Sequence, residues 1–78
     1  MTKEQLKDIL ENSLKNCTVD VQSDDNVHFS ATIIAKEFNN IPSKVKRQQL
    51  VYSKINGYIL SGELHAIAIK TIATNEIK

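Results

Sequence analysis

Two histidines are the residues of this chain whose type and position best suit chemistry. His65 stands at the head of an apolar, β-branched segment, residues 64–72, and His28 opens a second such segment, His28–Ala35. Imidazole nitrogen is a common metal ligand and titrates near neutral pH. The pattern leaves His65 as a packing residue, a titrating switch or half of a metal site, and it favours a packing histidine bonded to backbone. His28 is either solvated at a strand end or a ligand.

Other reactive groups are few. Cys17 is the single cysteine, which excludes an intramolecular disulfide and a four-cysteine zinc site within one chain. Alternation places Cys17 on the same strand face as Val19 and Val21, so we expect it to pack as a small apolar residue. Asp24 and Asp25 adjoin in a polar loop and are typical of solubilising turn residues. The sequence has no phosphate loop, nucleophile–base set or paired carboxylates on one strand, and it predicts no enzyme.

Length and composition bound the class of protein. The 78 residues predict one domain, residues 1–78, with a small core and little room for a deep enclosed site. A formal net charge of +1 means that any contact with nucleic acid must rest on a local patch. No apolar run approaches the ~18 residues of a membrane span, and the charged amino terminus lacks an apolar signal core. We therefore expect a soluble, cytoplasmic protein with no membrane partner.

Hydrophobic periodicity predicts the elements that position the histidines, in the order α-β-β-α-α-β. The predicted helices cover residues 2–15, 43–52 and 55–60, and the predicted strands cover Cys17–Gln22, His28–Ala35 and residues 64–72. A strand, a helical crossover and a further strand are most simply parallel where the two strands are neighbours. The expected fold is α+β, a three-stranded sheet with helices on one face. The pattern does not fix the register of the last strand, so it leaves open whether His28 and His65 lie close together.

Caps and breakers mark the ends of the helices. Thr2, followed three residues later by Gln5, predicts a capping box at the start of the first helix. Ser43 is a good cap for the second helix. Gly57 weakens the short third helix, and the tail after Thr74 is expected to fray.

Two segments and a hairpin carry a resemblance to a known family. Residues 43–52, Ser-Lys-Val-Lys-Arg-Gln-Gln-Leu-Val-Tyr, are followed by residues 64–71, Leu-His-Ala-Ile-Ala-Ile-Lys-Thr, and His28-Phe29 follows a polar loop. In this combination the chain resembles the BolA family, and within it the bacterial IbaG (YrbA)-like branch. The resemblance covers nearly the whole chain and implies a fold like the class II KH domain.

The resemblance also implies a partner and a cofactor. BolA-type chains bind monothiol glutaredoxins and hold a [2Fe–2S] cluster jointly with the glutaredoxin cysteine and a bound glutathione, for iron–sulfur trafficking or iron sensing. The isolated chain is expected to hold no cofactor, as a monomer or a homodimer. The first ligand maps onto His65. His28, at the end of the loop, is the best candidate for the second, and a neighbouring loop group is the alternative. Some members use a position further up the loop, where this chain has Asp24, Asp25 and Asn26.

Lys44, Lys46 and Arg47 form a local basic patch on the predicted second helix. The patch is a solvated helix face, a docking surface for an acidic partner or for the carboxylates of glutathione, or a contact with DNA through a helix-turn-helix-like pair of helices. A handful of cations gives weak, salt-sensitive binding, and the chain lacks the Gly-x-x-Gly loop that clamps nucleic acid in KH domains. A small DNA-binding transcriptional regulator is the alternative function.

Overall fold

The computed structural model describes residues 1–77. Two helices and three strands follow one another in the order α1, β1, β2, α2, β3, with a short 3₁₀ turn after β2 and another after β3. Their bounds are α1 Lys3–Ser13, β1 Cys17–Gln22, β2 His28–Ala35, first 3₁₀ turn Lys36–Asn40, α2 Lys44–Leu60, β3 Ala66–Ala73 and second 3₁₀ turn Thr74–Glu76.

The predicted capping box fixes the start of α1. The Thr2 hydroxyl accepts from the Gln5 backbone N–H at 3.2 Å, and the Gln5 side-chain oxygen accepts from the Thr2 backbone N–H at 2.9 Å. The helix ends at Ser13, two residues earlier than predicted. Asn16 then adopts a left-handed conformation with φ 53°, which asparagine tolerates, and the chain turns into β1.

The sheet has the strand order β1-β2-β3 and confirms the α+β architecture. β1 and β2 are antiparallel, and β2 and β3 are parallel, as the sequence predicts. The alternating residues Phe29, Ala31, Ile33 and Ala35 are buried on one face. They form a single core with apolar residues of α1 and α2, so the helices pack on that face, and the other face carries the alternate residues, which are exposed or half-buried.

The second and third predicted helices are one continuous helix, which corrects the predicted order to α-β-β-α-β. α2 runs for 17 residues and passes through Gly57. A glycine costs ~1 kcal/mol in a helix interior. Val51 and Ile55 are fully buried, and the stripe continues to Tyr58. Because fully burying one aliphatic side chain contributes ~1.5–3 kcal/mol, this packing outweighs the local preference to break.

β3 forms an edge of the sheet, and side chains of α2 cover some of its outward backbone groups. The Tyr52 hydroxyl donates to the Ile67 carbonyl at 3.1 Å, and the Gln48 amide donates to the Ile69 carbonyl. An uncovered edge strand is a template for pairing with another chain. α2 therefore both packs over the sheet and protects part of its edge.

The connection between α2 and β3 determines the position of His65. Gly62 has φ +82°, the left-handed conformation that glycine adopts without strain. Leu64 is fully buried, and its backbone N–H donates to the Tyr58 carbonyl at 3.0 Å. β3 begins at Ala66, two residues later than predicted. His65 therefore directly precedes the strand and follows an anchored residue.

Thr74–Glu76 forms a short 3₁₀ turn that is hydrogen-bonded to the fold, where the sequence led us to expect a frayed tail. The Asn39 amide donates to the Thr74 hydroxyl at 2.8 Å, and the Asn39 oxygen accepts from the Asn75 backbone N–H at 3.1 Å. Glu76 accepts from the Ala73 backbone N–H at 2.7 Å. None of the helices in residues 1–77 is long and apolar enough to cross a lipid bilayer.

Candidate functional site

The register of β3 brings the two histidines to the same end of neighbouring strands. His28 pairs with Ala66 across the parallel β2–β3 ladder, and His65 is the residue before Ala66. His28 is the first residue of β2 and His65 directly precedes β3, and neighbouring strands lie about 4.8 Å apart. Both are exposed. The pairing therefore makes His28 and His65 backbone neighbours at this end of the sheet.

His28 is held by the loop that precedes it. Its imidazole Nδ1 lies 3.0 Å from Oδ2 of Asp25, and the other oxygen of that carboxylate accepts from the backbone N–H groups of Val27 and His28, each at 2.9 Å. The Ser23 hydroxyl donates to the His28 carbonyl at 2.8 Å and accepts from the Asn26 backbone N–H at 2.9 Å. The side chains of Ser23 and Asp25 therefore hold the loop closed and fix the position of His28 at the start of β2.

The hydrogen bonds around Asp25 change its acidity. The bond from the His28 side chain and the two backbone bonds lower the pKa of the Asp25 carboxyl well below its ordinary value. Asp25 is thus ionised at neutral pH and faces an imidazole that remains 76% exposed. The sequence interpretation of Asp25 as only a solubilising turn residue missed this contact. The signal that could have found it is the spacing of an aspartate three residues before the histidine, across a tight loop.

His28 and His65 are the candidate metal ligands at this end of the sheet. Within residues 1–77, no three histidine, cysteine, aspartate or glutamate side chains form a group that could hold a metal ion. A shallow depression of ≈ 370 Å³ lies where β2 and β3 begin, lined by His28 with small neighbours such as Ser30, Ala66 and Ala68. His28 lines this depression, and the exposed His65 directly precedes Ala66, another of its lining residues. Imidazoles open to solvent suit a metal group whose remaining ligands come from a second molecule.

Cys17 is remote from this site. It pairs with Ala35 at the opposite end of β2 from His28. Its thiol is half-buried against the core and donates to the Leu14 carbonyl at 3.3 Å, which confirms the packing interpretation. Burial, with the nearby Glu11 and Glu37 carboxylates, raises the pKa of the Cys17 thiol. A buried thiol with a raised pKa is a poor nucleophile and a poor metal ligand.

Arg47 does not belong to an exposed basic patch, and this part of the prediction is wrong. Its side chain is 3% exposed. The guanidinium donates to the Ile41 carbonyl at 2.6 Å, to the Phe38 carbonyl at 3.1 Å and to the Glu76 carboxylate at 2.8 Å. Lys44 and Lys46 are exposed, as predicted. Their role in docking stays a prediction.

The exposed lysines and the histidines lie at opposite ends of the sheet. Arg47, on the first turn of α2, contacts Glu76, which follows the end of β3. The eight residues of β2 set a separation of roughly 20 Å at ~3.3 Å per residue. A tripeptide spans about 10 Å when fully extended. At that separation a glutathione held at the histidines would not reach Lys44 or Lys46. Contact of these lysines with a partner stays a prediction.

The structure also contradicts the helix-turn-helix-like unit that was predicted for the alternative function. The two helices that were expected to form it are the single helix α2, with no turn between them. A recognition helix of that motif needs a preceding helix that crosses the nucleic-acid backbone at an angle. DNA binding itself stays a prediction, now without that geometry and without Arg47 as an exposed cation.

Comparison with known proteins agrees with the fold. The family model of the BolA-like proteins matches residues 3–76. With its α-β-β-α-β order and its three-stranded sheet, the chain belongs to the BolA family. Among named relatives it is similar to the acid stress protein IbaG of Escherichia coli K12, at 33% identity over 97% of this chain and 88% of that protein.

Two further relatives extend the similarity in sequence and in structure. A protein of Buchnera aphidicola is 36% identical over 94% of this chain and 90% of its own length. The structure of a BolA homologue from Coxiella burnetii superposes with a TM-score of 0.82 at 26% identity, over 97% of this chain and 95% of that one. The whole described fold, from α1 to the end of β3, is therefore shared with these relatives.

Proposed function

We propose that this protein is an adaptor that binds a monothiol glutaredoxin and holds a [2Fe–2S] cluster jointly with it, for iron–sulfur trafficking or iron sensing. The observation that carries the proposal is the register of β2 and β3. It sets His28 and His65 at the starts of adjacent strands, both open to solvent. In the sequence the two histidines are 37 positions apart.

The number and type of the donors support a shared cluster rather than a site of this chain alone. A [2Fe–2S] cluster is held by four ligands, and histidines replace cysteines at one iron in some proteins. This chain offers two imidazoles, and its one thiol is half-buried at the other end of β2. A glutaredoxin with its bound glutathione would supply thiolates that this chain does not bring to the site.

Histidine ligation also suits an adaptor that passes the cluster on. Replacing thiolates by imidazoles raises the reduction potential of a [2Fe–2S] centre. We infer that it also makes the cluster more labile towards an acceptor. The exposure of both histidines supports this role, because a partner can approach them without displacing any part of the core.

Co-expression with a monothiol glutaredoxin tests the proposal. The complex should be coloured, with visible absorption and circular dichroism bands of a [2Fe–2S] cluster. His65→Ala should remove or shift those bands, whereas Glu63→Ala, an exposed change two residues away, should leave them as they are. Unchanged bands in the His65→Ala complex would show that His65 is not a ligand.

A cysteine at the same position tests the lability that we infer. His65→Cys should retain a cluster with shifted bands and transfer it more slowly to an apo-acceptor, because a thiolate replaces the imidazole. An equal transfer rate for both complexes would remove the argument from lability. If the native chain forms no coloured complex with monothiol glutaredoxins, the proposed function itself is wrong.

A further inference from the structure

We propose that Asp25 is a positioning residue, which keeps the proton of neutral His28 on Nδ1 and thereby leaves Nε2 as the nitrogen that binds metal. This inference rests on the proposed function and deepens it. It concerns one atom of the site, and the apo chain by itself can test it.

The geometry of the contact sets the direction of the hydrogen bond. Oδ2 of Asp25 lies 3.0 Å from Nδ1 of His28. An ionised carboxylate only accepts hydrogen bonds, so the imidazole must donate. A neutral imidazole carries a single N–H, and a proton on Nδ1 leaves the lone pair on Nε2. Metal-bound histidines commonly donate their other ring N–H to a carboxylate or a carbonyl in this way.

The carboxylate is fixed before any ligand arrives. An isolated exposed pair of this kind contributes little, because two side chains must be ordered to form it. Here the second oxygen of Asp25 already accepts from the backbone N–H groups of Val27 and His28. The Ser23 hydroxyl further closes the loop between the His28 carbonyl and the Asn26 N–H. The loop thus holds Oδ2 in place at little additional entropic cost.

His65 offers an internal comparison. In the part of the chain that the structure describes, no carboxylate contacts its imidazole. We therefore infer different behaviour for the two histidines of the apo chain. His28 has a defined tautomer with the proton on Nδ1, and His65 keeps the mixture of an unconstrained imidazole, in which the Nε2–H form dominates.

Asp25→Asn is the decisive variant, because it retains the shape of the side chain. The amide oxygen can still accept from the two backbone N–H groups. The amide nitrogen then takes the place of Oδ2 and can only donate, so the proton of His28 should move to Nε2. Asp24→Asn is the matched control, since Asp24 is the adjacent acidic residue and, within residues 1–77, the carboxylate bonded to His28 is that of Asp25.

Long-range ¹H–¹⁵N correlation of the ¹⁵N-labelled apo chain at pH 8 reports the tautomer of each ring. His28 should show a protonated Nδ1 and an unprotonated Nε2, and Asp25→Asn should invert this pattern while Asp24→Asn leaves it alone. His28 with its proton on Nε2 in the native chain, or no change in Asp25→Asn, would overturn the inference.

The glutaredoxin complex provides the second readout. Asp25→Asn should accelerate loss of the cluster to a chelator by about tenfold or more, the effect typical of removing a hydrogen-bond partner of a metal ligand. A tautomer that inverts without any change in that rate would leave Asp25 a purely structural residue and overturn the positioning role. A native complex without any cluster would instead refute the proposed function, and the result on the apo chain would still stand.

Discussion

Arg47 joins three parts of the chain through one guanidinium group. It contacts the first 3₁₀ turn through the Phe38 carbonyl, the following segment through the Ile41 carbonyl and the second 3₁₀ turn through Glu76. The central carbon of the guanidinium, Cζ, also lies 5.7 Å from the centre of the Phe38 ring. The planar, forked guanidinium can serve several acceptors at once, which an ammonium group cannot do in the same geometry.

We predict that Arg47→Met lowers the free energy of unfolding by about 2–4 kcal/mol, because it leaves two carbonyl groups and a carboxylate without their donor. Urea unfolding followed by circular dichroism measures this. Lys46→Ala, the exposed neighbour, should change the free energy by less than about 0.5 kcal/mol. Equal effects of the two changes would contradict the buried role of Arg47.

The Glu76 carboxylate makes stability depend on pH. Hydrogen bonds from the Ala73 N–H and from Arg47 lower the pKa of Glu76 below 4.5 in the folded state. Its stabilisation is therefore fully present above the unfolded pKa of about 4.5 and is lost as the pH falls through the lower, folded pKa.

The stability difference between the native chain and Glu76→Gln should accordingly shrink when the pH is lowered from 7 to 3, since glutamine does not titrate. Urea unfolding at pH 7, 5, 4 and 3 gives the comparison. A difference that stays constant over this range would show that the Glu76 charge makes no contribution.

At the scale of the elements, the unbroken course of α2 decides most of the architecture. The helix spans Lys44–Leu60 and contributes Val51 and Ile55 to the core. Its Gln48 and Tyr52 side chains cover carbonyl groups at the edge of β3. A break near Gly57 would separate the packing residues from the segment that anchors Leu64, and with it His65.

Two glycines test this continuity in opposite directions. A Cβ added at Gly57 would meet no neighbouring atom within 4 Å. Gly57→Ala should therefore stabilise the protein by about 0.5–1 kcal/mol, because alanine has the higher helix propensity. Gly62→Ala should destabilise it by a similar amount, because its φ of +82° suits only glycine. Thermal unfolding of both variants measures the effects. No gain in Gly57→Ala would count against a helix at that position.

The whole molecule separates its two charged features. The histidines and Asp25 lie where β2 and β3 begin, and the exposed lysines lie near the ends of those strands. The two groups of charges are separated by roughly 20 Å, which is more than the Debye length of about 8–10 Å at physiological salt. The two ends should therefore act independently on anything bound at one of them.

The double variant Lys44→Glu, Lys46→Glu should leave the visible absorption and circular dichroism bands of a glutaredoxin complex unchanged. His28→Ala, at the other end, should alter them. Spectra of the purified complexes at matched cluster content provide the measurement. Altered bands in the lysine variant would mean that the lysines lie closer to the cluster than the fold allows.

The sequence by itself determined the features that depend on neighbouring residues. The bounds of β1 and β2, the buried face of Phe29 and the caps at Thr2 and Ser43 follow from periodicity and from hydrogen bonds within a few residues. The similarity of the residue runs also led to the BolA family and to its α+β fold. These features could be predicted because the interactions that fix them are local.

Only the tertiary structure decided the features that depend on distant residues. The burial of Arg47 follows from acceptors up to 29 positions away, and the continuity of α2 follows from packing that outweighs its glycine. The pairing of His28 with Ala66 depends on the register of β3 against β2. A shift of β3 by one residue would turn every side chain to the other face, and this is excluded only once the buried face of the sheet is known. The proximity of the two histidines therefore comes from the core packing between the strands and helices, which no local pattern encodes.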